Sequence, residues 1–214
     1  MRRQQCVSLL ICGLLMLVGT PYLFAGTFIS SIDKIAGNAE VPNILDAGLV
    51  EGVEAYTDRD HVLLNIHPLL VGADLVQLSN SDKTSVPYQT DVTFARPVSA
   101  LYIGLDDRLT TQPLAWMNDS AMTGLPNGFF DTGVDIDIDE GNDGAIDQTF
   151  SMWVTLAAPA GTYSLYEQDD GGSRNMYILV GSDTLVAIPE PSTLVLACLG
   201  VLACITLRRG LRSK

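Results

Sequence analysis

Hydrophobic residues occur along most of this 214-residue chain in short stretches that glycine, proline, asparagine and aspartate interrupt. The clearest alternation is Val134–Ile138, where apolar residues and aspartates take turns as they do along a half-buried strand. No long segment has the period of a helix, so we expect helix only in short pieces, for example near Leu45. We predict nine strands: Leu49–Tyr56, His61–Ile66, Leu75–Leu78, Thr90–Phe94, Ser99–Leu105, Val134–Ile138, Phe150–Leu156, Thr162–Tyr166 and Met176–Val180. Short strands separated by turn residues predict an all-β protein, an antiparallel β-sandwich of jelly-roll type.

The first 25 residues have the pattern of a secretory signal peptide. Arg2 and Arg3 form a basic start, and an apolar stretch follows from Cys6 to Val18. The small residue Ala25 offers a cleavage position at the end of this segment. We therefore predict an N-terminal signal helix, export of the chain and a mature product that begins near Gly26.

The C-terminal end combines three features in order. The triplet Pro189-Glu190-Pro191 precedes an uncharged apolar run over residues 192–207, and three arginines and a lysine follow. Both prolines disfavour helix in the residue before them, so the triplet marks a boundary. The run has 16 residues, whereas a comfortable transmembrane helix needs about 20, which indicates a transient stop in the membrane. The basic residues are expected to stay on the cytoplasmic side.

This order resembles the PEP-CTERM sorting signal of exported bacterial proteins, which a membrane-bound exosortase recognises and processes. The resemblance implies a signal peptide at 1–25, a β-sandwich domain at 26–188 and a sorting signal with a transmembrane helix at 189–214. It also implies exosortase and the secretion machinery as partners, transit through the inner membrane, and the cell surface or extracellular matrix as the destination. The alternatives are a plain tail anchor and a helix packed on the domain. A packed helix is amphipathic, whereas this run is apolar all round.

Composition limits what the central domain can do. All four cysteines (Cys6, Cys12, Cys198 and Cys204) lie in the two apolar ends, so residues 26–188 can form no disulfide, thiol nucleophile or thiolate metal site. The same segment contains 6 lysines and arginines and 24 aspartates and glutamates, a net charge of −18. Nucleic acid repels such a domain and is excluded as a partner.

The central domain also has a resemblance of its own. It contains the string GVEAYTDRDHVLLNIHPLLVGADLVQLSNSDK, followed by VTF, LYIGLDDR, AWM, FFDTG and MYILV. This order looks like a β-sandwich module of exported bacterial proteins, and comparable modules are appended to secreted polysaccharide-degrading enzymes such as pectinolytic lyases. The matching positions are Tyr56, Asp58, Arg59, Gly72, Ala73, Val76, Asn80, Asp82, Lys83, Asp106, Arg108, Trp116 and Asp131-Thr132-Gly133. The resemblance implies a non-catalytic module that binds polysaccharide.

The acidic insert DTGVDIDIDEGNDGAIDQ is the candidate metal site. Calcium loops present oxygen ligands at alternating positions and turn sharply at a glycine, and Asp139, Asp143 and Asp147 have a similar spacing. Gly141 and Phe150 stand where an EF-hand requires ligands, so the segment is not an EF-hand. Calcium bound by these three aspartates is one interpretation, and a solvated acidic hairpin is the other.

Arg59, Arg108 and Trp116 are the candidate ligand-binding residues. Asp58-Arg59 and Asp107-Arg108 each follow an apolar stretch, so either arginine could bind a sugar or carboxylate, or could form an ion pair at the end of a strand. Trp116 could stack on a sugar ring or belong to the core. Trp153, in an alternating strand, is expected in the core.

Nothing in the sequence predicts a catalytic residue. The two histidines have no zinc-site spacing, and there is no Gly-x-Ser-x-Gly motif. We therefore interpret the chain as an exported, non-catalytic protein of the cell surface or extracellular matrix that binds polysaccharide. A dedicated carbohydrate-binding module and a secreted hydrolase that uses the acidic cluster are the alternatives.

Overall fold

The structure, a computed structural model, describes residues 28–168 and 172–186. In these residues the chain forms ten strands and one short α-helix. The strands are β1 (Ile29–Ala36), β2 (Asn43–Leu45), β3 (Val62–Leu64), β4 (Asp74–Gln77), β5 (Gln89–Phe94), β6 (Val98–Asp106), β7 (Phe130–Asp139), β8 (Gln148–Ala158), β9 (Gly161–Tyr166) and β10 (Ile178–Ser182). The α-helix α1 spans Ser120–Thr123, and two 3-10 helices span Asn80–Thr84 and Ala115–Asn118.

The strands form two sheets in which every named pair is antiparallel. The larger sheet has the order β2-β4-β10-β6-β8-β7-β3, and the smaller has the order β1-β5-β9. The last strand, β10, therefore lies inside the larger sheet, between β4 and β6. The predicted all-β, antiparallel β-sandwich is confirmed.

The core lies between the two sheets and follows the alternation of the strands. In β5 the side chains of Thr90, Val92 and Phe94 are buried, and the residues between them are only partly so. The sheets are in direct contact, since a Cβ atom at Gly181 of β10 would lie 3.3 Å from the side chain of Ile29 in β1. Burying this apolar surface stabilises the sandwich by about 25 cal/mol for each Å² removed from water.

Eight of the nine predicted strands coincide with observed ones, with ends that differ by up to four residues. The exception is Leu49–Tyr56, which forms a loop with only an isolated bridge between Glu54 and Val62. Gly52 in this loop has a φ of +77°, which interrupts an extended strand. The helix predicted near Leu45 is also wrong, because Asn43–Leu45 is β2 and pairs with β4.

The predicted signal helix and transmembrane helix, with Pro189, Glu190 and Pro191, lie outside the described residues. Within 28–168 and 172–186, no helix has both the length and the apolar character needed to span a membrane.

Candidate ligand-binding site

Loops that are distant in sequence meet at one edge of the seven-stranded sheet. Because neighbouring strands are antiparallel, the ends of β4, β6 and β7 lie at the same edge as the starts of β3 and β10. The connections at this edge carry Arg59, Lys83 and Arg108, which we call the cationic cluster. The topology thus brings three basic side chains of a very acidic domain to one place.

Asp106, the last residue of β6, is fully buried and fixes the side chain of Arg108. Its Oδ1 atom accepts hydrogen bonds from the backbone N and the Nε of Arg108, both at 2.9 Å, and its Oδ2 accepts one from Nη2 at 2.6 Å. Burial raises the pKa of Asp106, but the hydrogen bonds from Arg108 and from the backbone of Asn175 lower it below its ordinary value. Asp106 is therefore a carboxylate at neutral pH and holds the guanidinium in one orientation.

The predicted Asp107-Arg108 pair is wrong. Asp107 is exposed, and its Oδ1 accepts hydrogen bonds from the backbone N and the Oγ of Ser151 at 3.1 and 2.6 Å. The second acidic partner of Arg108 is instead Glu140, whose Oε1 lies 3.3 Å from Nη2. Arg108 Nη1 donates no hydrogen bond to any of the residues that the structure describes.

Two buried asparagines connect the loops beneath the cluster. The Nδ2 of Asn80 donates to the Oδ1 of Asn175 at 3.1 Å, and the Oδ1 of Asn80 accepts from the backbone N of Met176 at 2.7 Å. Asn175 in turn donates its backbone N to Asp106 at 2.7 Å and its Nδ2 to Glu140 at 2.8 Å. This network fixes the end of β6, the turn after β7 and the segment before β10 relative to one another.

Arg59 is held by its neighbour Asp58, as one interpretation of the sequence proposed. Its Nη1 lies 3.2 Å from Asp58 Oδ2, its Nη2 donates to Ser81 Oγ at 3.2 Å, and its side chain is 43% exposed. The Asp58 carboxylate also accepts from the backbone N of Asn80 and of Ser81, which ties the loop before β3 to the 3-10 helix after β4. Burial raises the pKa of Asp58, but these hydrogen bonds lower it below its ordinary value.

Lys83 is the basic residue of the cluster without an acidic partner. Among the described residues its Nζ makes no hydrogen bond and no ion pair, although the side chain is partly buried. Burial lowers the pKa of Lys83, and the positive charges of Arg59 and Arg108 lower it further, against an opposing effect of Glu140. The ammonium group thus stands near two guanidinium groups and is only partly compensated.

His61 lies beside the cluster and is only 9% exposed. Its ring packs edge-on against Tyr56 with 5.9 Å between ring centroids, and its Nδ1 has no hydrogen-bond partner in the described part of the chain. Burial lowers the pKa of His61, against opposing effects of Glu140 and Asp60. The imidazole is therefore neutral at neutral pH.

The three aspartates proposed as calcium ligands bind the backbone of their own loop. The Asp139 carboxylate accepts hydrogen bonds from the backbone N of Gly141, Asp143 and Gly144 at 3.0, 3.2 and 2.6 Å. Asp147 accepts from the backbone of Glu140, and Asp143 accepts from that of Ala145. Across residues 28–168 and 172–186, no three acidic, histidine or cysteine side chains come together in an arrangement that could hold a metal ion. The geometry gives the calcium interpretation no support.

Trp116 is not available for stacking, so its selection as a ligand-binding residue is wrong. It is only 4% exposed, its Nε1 donates to the backbone O of Glu167 at 2.9 Å, and its ring contacts Tyr166 and Tyr177. Trp153 packs against the core and is partly buried. Both indoles therefore contribute to packing.

The structure adds Lys83, Glu140 and Asn175 to the residues that the sequence singled out. Lys83 could have been found from composition, because it is one of only 6 basic residues between positions 26 and 188. Glu140 and Asn175 have no such signal, since their roles come from the register of β7 and β10 against their neighbours.

Two comparisons with known proteins gave matches. Residues 187–210 match the family described as PEP-CTERM protein-sorting motif. The described fold is similar to part of a solved structure titled "The structure of a beta-glucuronidase from glycoside hydrolase family 2", with a TM-score of 0.55 and 16% sequence identity. The match covers 72% of this chain but only 14% of the glucuronidase, so it shows a shared fold and no shared activity. A comparison with curated proteins gave no significant match.

The motif at the C-terminal end settles what kind of protein this is in terms of its route. The resemblance seen in the Pro-Glu-Pro triplet and the apolar run is confirmed by the match to residues 187–210. The chain is an exported, exosortase-sorted protein that carries the PEP-CTERM protein-sorting motif behind an antiparallel β-sandwich.

Proposed function

We propose that the protein is a non-catalytic component of the cell surface or extracellular matrix that binds polysaccharide through the cationic cluster. The observation that carries this proposal is the convergence of Arg59, Lys83 and Arg108 on loops at one edge of the sheet. Arg59 and Arg108 are held in place by carboxylates, and Lys83 and the Nη1 of Arg108 keep donors that no described residue uses. Polar donors on a rigid scaffold suit the hydroxyl and acidic groups of a sugar chain.

The acidic residues of the site support binding rather than hydrolysis. A glycosidase needs one carboxylic acid with a raised pKa opposite a carboxylate, so that the two flank the bond that breaks. Asp58 and Asp106 have lowered pKa values and are occupied by hydrogen bonds. Neither can therefore supply a proton at neutral pH.

Asp135 is the one feature that favours the hydrolase alternative. Its pKa is raised by burial and by the negative charges of Asp107, Asp131 and Asp137. Asp131 and Asp135 are exposed on the same side of β7, so a sugar placed there would meet acids from one side only. This arrangement lacks the opposed pair that the reaction requires.

Binding is tested with the full-length gene expressed in a bacterium that has an exosortase. The exported product is recovered and passed over immobilised neutral and acidic polysaccharides, and retention on at least one is expected. The variant R59Q/R108Q should be retained less, while a D135N variant should be retained like the parent. Absence of retention on every polysaccharide would leave only a structural role. Release of reducing sugar by the parent but not by D135N would establish the hydrolase instead.

The route is tested on the same material by intact mass. A product that begins near Gly26 and ends near Pro189, found outside the inner membrane, is the expected result. Fractionation between medium, matrix and washed cells then gives the destination. A full-length tail retained in the inner membrane would indicate a plain anchor and contradict the proposed location.

A further inference from the structure

Resting on the proposed function, we infer that the cationic cluster selects polysaccharides that carry oxyanion groups, carboxylate or sulfate, and that Lys83 is the residue that determines this selectivity. The inference starts from the distribution of charge. Residues 26–188 contain 6 basic and 24 acidic residues. Four of the six basic residues, Arg59, Lys83, Arg108 and Arg174, lie on the loops at one edge of the larger sheet. The remaining two, Lys34 and Arg96, do not.

The arginines of this edge are already neutralised in part. Arg108 pairs with the buried carboxylate of Asp106 and with Glu140, and Arg59 pairs with Asp58. They offer hydrogen-bond donors to a ligand, but their charge is shared with carboxylates of the protein. A neutral sugar could use those donors as well as an acidic one.

Lys83 differs because its charge has no counterpart among the described residues. Its Nζ is placed close enough to Arg59 and Arg108 for their charges to lower its pKa, and the side chain is partly withdrawn from water. An ammonium group held next to two guanidinium groups is destabilised, and an oxyanion bound between them relieves that repulsion. Since charge-assisted hydrogen bonds are about twice as strong as neutral ones, Lys83 favours an acidic sugar over a neutral one.

The acidic remainder of the domain sharpens the selectivity. A net charge of −18 over residues 26–188 repels polyanions everywhere except at this edge. An acidic polysaccharide is therefore held at one site and in one register instead of covering the surface. This separates the proposed site from the non-specific binding that a generally basic protein would show.

The test uses the processed product of the full-length gene and matched pairs of polymers. Affinity electrophoresis is run in gels that contain alginate, alginate esterified with propylene glycol, dextran sulfate or dextran. Retardation by alginate, by dextran sulfate or by both, with little retardation by the uncharged partner of each, is expected. The two acidic polymers show whether carboxylate or sulfate is preferred.

The variants assign the effect to Lys83. The substitution K83Q should weaken binding to the acidic polymer about tenfold, the loss expected for one charge-assisted contact, and K83R should restore most of it. R96Q removes the same charge before the start of β6, at its opposite end, and should bind like the parent. Unfolding of each variant is followed by tryptophan fluorescence, so that a loss of binding is interpreted only for folded protein.

The outcomes separate the two proposals. Equal retardation by the charged and uncharged polymers, or unchanged binding by K83Q, would overturn the selectivity and leave polysaccharide binding intact. Failure of all four polymers, together with failure of the wider panel of neutral polysaccharides described above, would overturn polysaccharide binding itself.

Discussion

The substitution D106N tests whether the buried carboxylate at the end of β6 organises the candidate site. Asparagine has almost the same shape as aspartate, so the change introduces neither a cavity nor a clash. It replaces a charged acceptor with one oxygen and one amide group. The buried guanidinium contact then loses its counter-charge, and two donors that now point at Oδ2, the Nη2 of Arg108 and the backbone N of Asn175, face another donor.

The magnitude follows from these contacts. Removing one partner of a buried ion pair costs about 3–5 kcal/mol. A domain of this size has about 5–15 kcal/mol of stability, so the variant should remain folded at 25 °C. With a slope of about 2 kcal/mol per molar urea, the midpoint of unfolding should fall by about 2 M.

The assay is equilibrium urea unfolding followed by the fluorescence of Trp116 and Trp153. D107N is the matched control, because it removes the same charge from the adjacent, exposed residue. Asp107 accepts its hydrogen bonds from Ser151, and asparagine can keep accepting them, so a loss below about 1 kcal/mol is expected. If D106N and D107N shift the midpoint equally, Asp106 is not the residue that holds Arg108 and the description of the site is wrong.

Three further predictions concern features outside the Asp106 network. Because burial lowers the pKa of His61, the folded protein resists its protonation, so stability is complete above about pH 6.5 and decreases as the pH falls below it; H61F should lose less melting temperature between pH 7.5 and 5.5 than the parent, and equal losses would refute this. A Cβ at Gly104 would lie 2.6 Å from Ile178, so G104A should cost about 1–3 kcal/mol in urea unfolding, whereas G141A, with open space around it, should be neutral. Because the Asp139 carboxylate is occupied by backbone donors, millimolar calcium should leave the melting temperature unchanged, and a clear rise would restore the calcium interpretation.

Alternation of apolar and polar residues predicted most of the strands but could not predict β1. The segment Ile29–Ala36 pairs with β5 through two register shifts, one between Ile29 and Ser31 and one between Lys34 and Ala36. Each shift changes which residues face the core, so the segment has no continuous period of two. The loop at Leu49–Tyr56 shows the opposite failure, since apolar residues there are buried without forming a strand.

The site was predictable in part, for reasons that concern geometry. Arg59 and Arg108 were singled out from their acidic neighbours, but the partner of Arg108 was misassigned by one residue. Side chains two apart along a strand share a face, whereas adjacent ones point to opposite faces, which favours Asp106 over Asp107. The links through Asn80 and Asn175 depend on long-range register, 95 residues apart in the chain, and no local pattern contains it.

The position of β10 inside the larger sheet has a consequence for the order in which the protein is made and exported. Strands β4 and β6 can pair with β10 only after residues 178–182 have crossed the membrane, and these residues come immediately before the sorting motif at 187–210. The sandwich therefore cannot close while its last strand is still being translocated, and the exported chain must wait in an incomplete state. Folding and arrival at the sorting step are thus linked in time. An exosortase that waits for a folded domain would receive a signal that translocation is complete.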